Sequence, residues 1–136
     1  MLNRSGISKT TLTATTQILA NVELQSSVGC IVPQALGVTV GTKKIVKAGT
    51  PININLLDLQ TAVKKPDPDT AGSGAAAVPM NAVLLHDVDV TSGNANGTAL
   101  IFGFVNKNRL DNDVVEAITA AVAISGSTDK ITFMAV

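Results

Sequence analysis

The sequence predicts a mainly β fold with limited α content (α+β), a small barrel-like or sandwich-like body carrying one short C-terminal helix and an extended N-terminal arm. Three observations predict it. From Gly29 onward, short apolar runs are punctuated by Gly and Pro at regular spacing. Ile52-Asn53-Ile54-Asn55-Leu56 alternates apolar and polar residues with the period of a half-buried strand. The clearest helical spacing is confined to residues 113–122.

Residues 1–27 form the arm, rich in Thr and Ser, as in Thr10-Thr11-Leu12-Thr13-Ala14-Thr15-Thr16. Thr favours extended backbone, and nothing here repeats at helical spacing. Residues 28–136 make one β-rich domain. Its first strands are expected at Cys30-Ile31-Val32, Leu36 to Gly41, Lys44 to Gly49 and Ile52 to Leu56. Residues 66–74, from Pro66 to Gly74, combine prolines, aspartates and a Gly-Ser-Gly run, so a flexible surface loop is expected there. The run Val83 to Thr91 and the run Thr98 to Val105 read as a hairpin joined by Ser92 to Gly97, with Asn96-Gly97 as the tight-turn pair. Asp113 and Glu116 have capping-box spacing, and Val114, Ile118, Ala121 and Val122 fall on one helical face. Lys130 to Val136 closes the chain as a strand.

At 136 residues the chain can bury a core as one domain. Only 15% of its residues are charged, against about 25% in an ordinary globular protein. So few charges favour a surface partly covered by other subunits. Ten basic residues balance ten acidic ones, and Trp and Tyr are absent, so neither a nucleic acid nor an anionic membrane is expected as partner. Cys30 is the single cysteine, which excludes an internal disulfide and reads as a small buried apolar residue. The first twenty residues lack the continuous apolar core of a secretory signal, so synthesis in a cytoplasm is expected.

His86, Asp87 and Asp89 are the best candidates for acid-base or metal chemistry. On a continuous strand Asp87 and Asp89 point one way and His86 the other, so the three do not converge. Asp87 to Thr91 begins like a calcium loop, but the sixth position is Ser92 and the twelfth Thr98, where glycine and glutamate are needed. No serine lies in a nucleophile elbow, and Gly72-Ser73-Gly74 lacks the continuation of a phosphate loop. The expectation is therefore a non-enzymatic protein without cofactor, with His86 as a core-edge residue making one hydrogen bond.

Lys47-Ala48-Gly49-Thr50-Pro51-Ile52, the run Val83 to Thr91, the strand Ala99 to Val105 and the section from Leu110 through the helix to Phe133 occur in an order that resembles capsid decoration and head-fibre-like proteins of tailed bacteriophages, including the phage lambda head decoration family. The resemblance implies trimers on the outer capsid surface that clamp neighbouring major capsid subunits after shell expansion. It also implies that the arm reaches the capsid. An extended Thr-rich arm has unused backbone donors and acceptors that can add to a sheet edge, making Thr10, Thr11, Leu12, Thr13, Ala14, Thr15 and Thr16 the capsid-contact candidates. The alternatives are a head-fibre base or other virion attachment module, and a small β-barrel ligand-binding module. Carbohydrate binding is disfavoured without Trp or Tyr platforms.

Overall fold

In the computed structural model, which describes residues 17–68 and 77–135, the chain runs through β1 (Ser26–Val32), β2 (Val38–Val40), β3 (Lys43–Val46), β4 (Pro51–Ile52), β5 (Ala82–Leu84), β6 (Val88–Asp89), β7 (Ala95–Asn106), α1 (Asn112–Val122) and β8 (Ile131–Met134). The fold is mainly β with one α-helix among the described residues. The twelve residues of β7 include neither proline nor charge, and this strand organises the larger sheet. β1 pairs with it antiparallel on one side and β5 on the other, with β4 beyond β5. β8 joins the C-terminal half of β7 in parallel, Gly103 opposite Ile131 and Asn106 opposite Met134. A second antiparallel sheet has the order β2-β3-β6.

The larger sheet curls without closing into a barrel. Its ends approach through residues 63 and 64: Lys64 exchanges backbone bonds of 2.8 and 2.9 Å with Asn53, and the Val63 N–H donates to the Ile31 carbonyl at 2.9 Å. Asn81 completes the same corner with its side chain, accepting from the Ile54 N–H and donating to the Ile54 carbonyl, both at 2.8 Å. An amide side chain thus replaces a neighbouring strand where none is present to pair.

Side-chain alternation sorts the apolar residues into two cores. Cys30, Val32, Ile52, Ile54, Ala82, Leu84 and Ala99 face the inner core, covered by Val46, Val88 and Val90 from the region of the second sheet. Val83, Leu85, Leu100, Val105 and Ile131 face outward onto Ala121 of α1, with Ile18, Leu19 and Met80 filling the seam. Leu84 and Leu100 are fully enclosed, each contributing about 1.5–3 kcal/mol by removal from water.

Five expectations need correction. The segment 83–91 is no single strand: Val83 and Leu84 pair antiparallel with Leu100 and Ala99 as the expected hairpin requires, but the rest of the run does not. β5 ends at Leu84 and the chain crosses to the other sheet, where β6 pairs with β3. Leu85 enters the outer core while Val88 and Val90 enter the inner one, and that exchange of cores drives the crossing. Asn96-Gly97 lies within β7, and the turn falls at residues 91–94. Gly97 is there for close approach, since a Cβ would stand 3.0 Å from Val32 Cγ2 and from Val88 Cγ2. At the helix start, Asp111 is the N-cap and makes no side-chain cap bond; both Asp111 and Asp113 turn to Lys47 instead, at 3.1 and 3.2 Å. Val114, Ile118 and Ala121 are buried as expected, but Val122 is exposed and Ile124 is buried beyond the helix end. Regular pairing of the Ile/Asn strand stops at Ile52, although its alternation persists to the buried Ile54.

The arm and loop boundaries also acquire detail. Ile18 and Leu19 are buried, Leu19 bridges Val105, and β1 begins at Ser26, so residues 17–27 belong to the body. Asp67 and Val78 exchange backbone bonds of 2.9 and 2.7 Å, which pins the base of the 66–74 loop; residues 69–76 lie outside the described residues.

Candidate attachment surfaces

The stretch with the most reactive residue types serves the scaffold. Asp87 lies in the crossing between the sheets, where its Oδ1 accepts the Ala48 N–H at 2.7 Å. Asp89 ends β6 and accepts from the Thr91 N–H at 2.9 Å and from Thr91 Oγ1 at 2.6 Å. Thr91 Oγ1 in turn accepts the Lys44 N–H at 2.9 Å, tying the turn to β3. The Thr91 hydroxyl, then its N–H, then the charge of Lys43 hold the Asp89 carboxyl below its ordinary range. The two carboxylates therefore fasten different segments. The expectation of one hydrogen bond at His86 is not met at Nδ1, which is enclosed without a partner among the described residues. Cys30 sits in the inner core, and burial pushes its thiol up, outweighing the hydrogen bond at Gly97. No group of three His, Cys, Asp or Glu side chains converges to hold a metal ion among the described residues. No helix there is long and apolar enough to cross a membrane.

Two open features are apolar. A cleft of about 520 Å³ runs between α1 and the segment bearing β2, lined by Leu36, Val38, Pro51, Val114, Ala117 and Ala121. Alanines at 117, 120 and 121 leave it open, since larger side chains on this helix face would fill it. Lys47, Lys65, Asp67 and Asp113 stand around it. Lys47 bridges Asp111 and Asp113, and these hydrogen bonds raise its pKa while anchoring the helix start to the end of β3.

β2 borders this cleft and is the outer strand of its sheet, with all three residues exposed. Val38 and Val40 project from one face, and each is about half exposed, at 49%. The strand itself carries no proline and no charge, the residues that commonly blunt an exposed edge. Such an edge offers backbone donors and acceptors to an incoming extended segment, with the cleft beside it to receive apolar side chains.

A second exposed feature is the turn after Ile54. Asn55 Oδ1 accepts the Leu57 N–H at 3.0 Å, and the Asn55 carbonyl accepts the Asp58 N–H at 3.1 Å. Asp58 then accepts from the Gln60 N–H and from Thr61 Oγ1, each at 3.1 Å. The backbone is thus fixed on both sides of Leu57, which is 97% exposed.

The expected contact residues Thr10, Thr11, Leu12, Thr13, Ala14, Thr15 and Thr16 lie outside the described residues. The strand expected over Leu36 to Gly41 is present as β2, but sequence reasoning missed its place at a sheet edge beside a cleft, and it missed the Leu57 turn. The signals were present in the small-residue face Ala117-Ala120-Ala121 and in two leucines placed among turn formers. Compared with known proteins, the chain matches no protein-family model, no curated protein and no solved structure.

Proposed function

We propose that this chain is a structural virion protein that binds the outer surface of a bacteriophage capsid and stabilises the expanded shell, with no catalytic step and no cofactor. The observation that carries the proposal is the uncharged edge of β2 beside an apolar cleft, a combination suited to an extended segment of a partner protein. The local uses of Asp87 and Asp89 and the enclosure of Cys30 also favour binding over chemistry. The partner is the major capsid protein. β2 takes an extended segment of it, while residues 10–16 of the arm reach a second capsid subunit. Assembly as a homotrimer multiplies these contacts, so that weak individual sites give firm attachment.

The test is co-sedimentation with purified shells, expanded and unexpanded, built from the major capsid protein encoded nearest this chain's gene. Stoichiometric binding to expanded shells is expected, with loss of binding on deletion of residues 1–16 and in Thr39→Pro, which removes an edge donor. Binding to neither shell refutes the proposal.

One observation favours a second function. The cleft volume, about 520 Å³, lies within the range of small-molecule sites. A ligand-binding module would capture a small apolar molecule there in the absence of any shell, and Ala117→Leu would abolish the capture.

A further inference from the structure

The face of the C-terminal half of β7 that turns away from α1 carries an apolar surface that the capsid proposal does not use. In the β1–β7 ladder the register shifts between Ser26 and Ser27, which pair with Phe102 and Leu100, so Ile101 is the extra residue of a bulge. A bulge reverses the alternation of side chains beyond it. Leu100 before it and Val105 after it therefore face the same outer core. Phe102 and Phe104 turn to the opposite face, together with Thr132 and Met134, which lie opposite Phe104 and Asn106 on β8. Phe102 is 40% exposed and Met134 38%.

Residues 21–25 border the same area. The Ala20 N–H donates to the Phe104 carbonyl at 2.9 Å, and the chain returns to the ladder at Ser26, opposite Phe102. Between these points Val22 and Leu24 are both about half exposed. Asn21 Oδ1 accepts the Glu23 and Leu24 N–H groups at 3.0 and 3.3 Å, which holds this excursion in shape.

We infer that this surface, formed by Val22, Leu24, Phe102, Phe104 and Met134, is where copies of this chain join to one another. The charge pattern selects a second copy as the occupant. Within residues 17–28, 95–106 and 131–135, Glu23 is the one charged residue. Subunits related by symmetry present the same surface repeatedly, so a charged patch brings like charges together and an uncharged one does not. A strongly charged partner finds only Glu23 in these segments to pair with. Its area limits this patch to the centre of such a contact. A Val, Leu, Phe or Met side chain offers about 60–120 Å² of apolar surface, and four at roughly half exposure supply on the order of 120–240 Å². That amount is too small for a whole interface of about 800 Å² per partner but suits its dry centre. Ser26, opposite Phe102, and Thr132, opposite Phe104, provide uncharged polar neighbours. The inference rests on the self-association in the proposed function and not on the capsid.

The experiment is light scattering on the full chain after size separation, over a concentration series, with circular dichroism to verify folding. The double variant Leu24→Lys with Met134→Lys alters exposed side chains only and is expected to raise the self-dissociation constant roughly 100-fold or more while keeping the β spectrum. Leu57→Lys, equally apolar in origin but on a different turn, is expected to leave the oligomer intact. An oligomer that survives in the double variant overturns the assignment, as does dissociation by Leu57→Lys. Dissociation on removal of residues 1–16, with the double variant still assembled, assigns the contact to the arm and overturns it equally. A wild-type chain that is monomeric at every concentration instead defeats the self-association from which the inference starts.

Discussion

Replacing Gly97 by alanine tests the contact between the two sheets through a single methyl group. An alanine Cβ at this position stands 3.0 Å from Val32 Cγ2, 3.0 Å from Val88 Cγ2 and 3.3 Å from Leu84 Cδ2. Two of the three neighbours are valines, whose branched side chains have few alternative rotamers. Val32 and Leu84 are fully buried and Val88 nearly so, which leaves little room to yield. Overpacking of this kind costs about 1–3 kcal/mol. Alanine recovers about 0.5–1 kcal/mol of backbone entropy relative to glycine. The net expectation is a loss of about 1–2 kcal/mol. With a urea m-value of about 1–3 kcal/mol/M, the unfolding midpoint falls by roughly 0.5–1.5 M at unchanged slope. Gly29→Ala provides the comparison, because nothing lies within 4 Å of a Cβ there and the backbone φ is not positive. It should stabilise the protein by up to about 1 kcal/mol. Val88→Ala opens space beside residue 97 and should reduce the penalty of Gly97→Ala when the two are combined. If Gly97→Ala is neutral or stabilising, as at Gly29, the close approach of the sheets is wrong.

Three other outcomes are expected. Asn81→Ala strips partners from both the N–H and the carbonyl of Ile54, and should cost about 2–4 kcal/mol in urea unfolding; a change below about 0.5 kcal/mol removes Asn81 from its role at the sheet corner. Asp89 has a folded pKa below its unfolded value near 3.8, so its stabilisation is present above that pH and disappears as pH falls through the folded value. Urea midpoints measured between pH 6 and 2 should therefore fall less steeply in Asp89→Asn than in the wild type, and parallel curves contradict the Asp89–Thr91 linkage. Cys30 should resist an aromatic disulfide reagent at neutral pH in the folded protein and react at once in denaturant, because burial both raises its pKa and blocks approach; rapid reaction in the folded state contradicts the inner-core assignment.

Local periodicity was legible where one face of an element meets a core. Val114, Ile118 and Ala121 were identifiable from helical spacing, and Ile52 and Ile54 from alternation, because burial imposes those periods directly. The pairing partners were not legible in the same way. Residues 83–91 are apolar enough for one strand, yet they divide between two sheets because Leu85 and Val88 enter different cores. β8 was expected as a strand, but nothing in its own residues specifies parallel pairing with β7. Asn96-Gly97 has turn chemistry, while the requirement at Gly97 comes from Val32 and Val88, residues distant in sequence. The attachment surfaces were hidden for a related reason: Val38 and Val40 have the composition of a core strand, and only the sheet order puts them on an edge.

Calorimetry of expanded shells tests the central claim most directly, by measuring the shell transition with increasing amounts of this protein. Preferential binding to the intact shell should raise the transition temperature until a fixed number of copies per shell is reached, with no further rise beyond saturation. A transition unchanged by saturating protein would contradict a capsid-stabilising function.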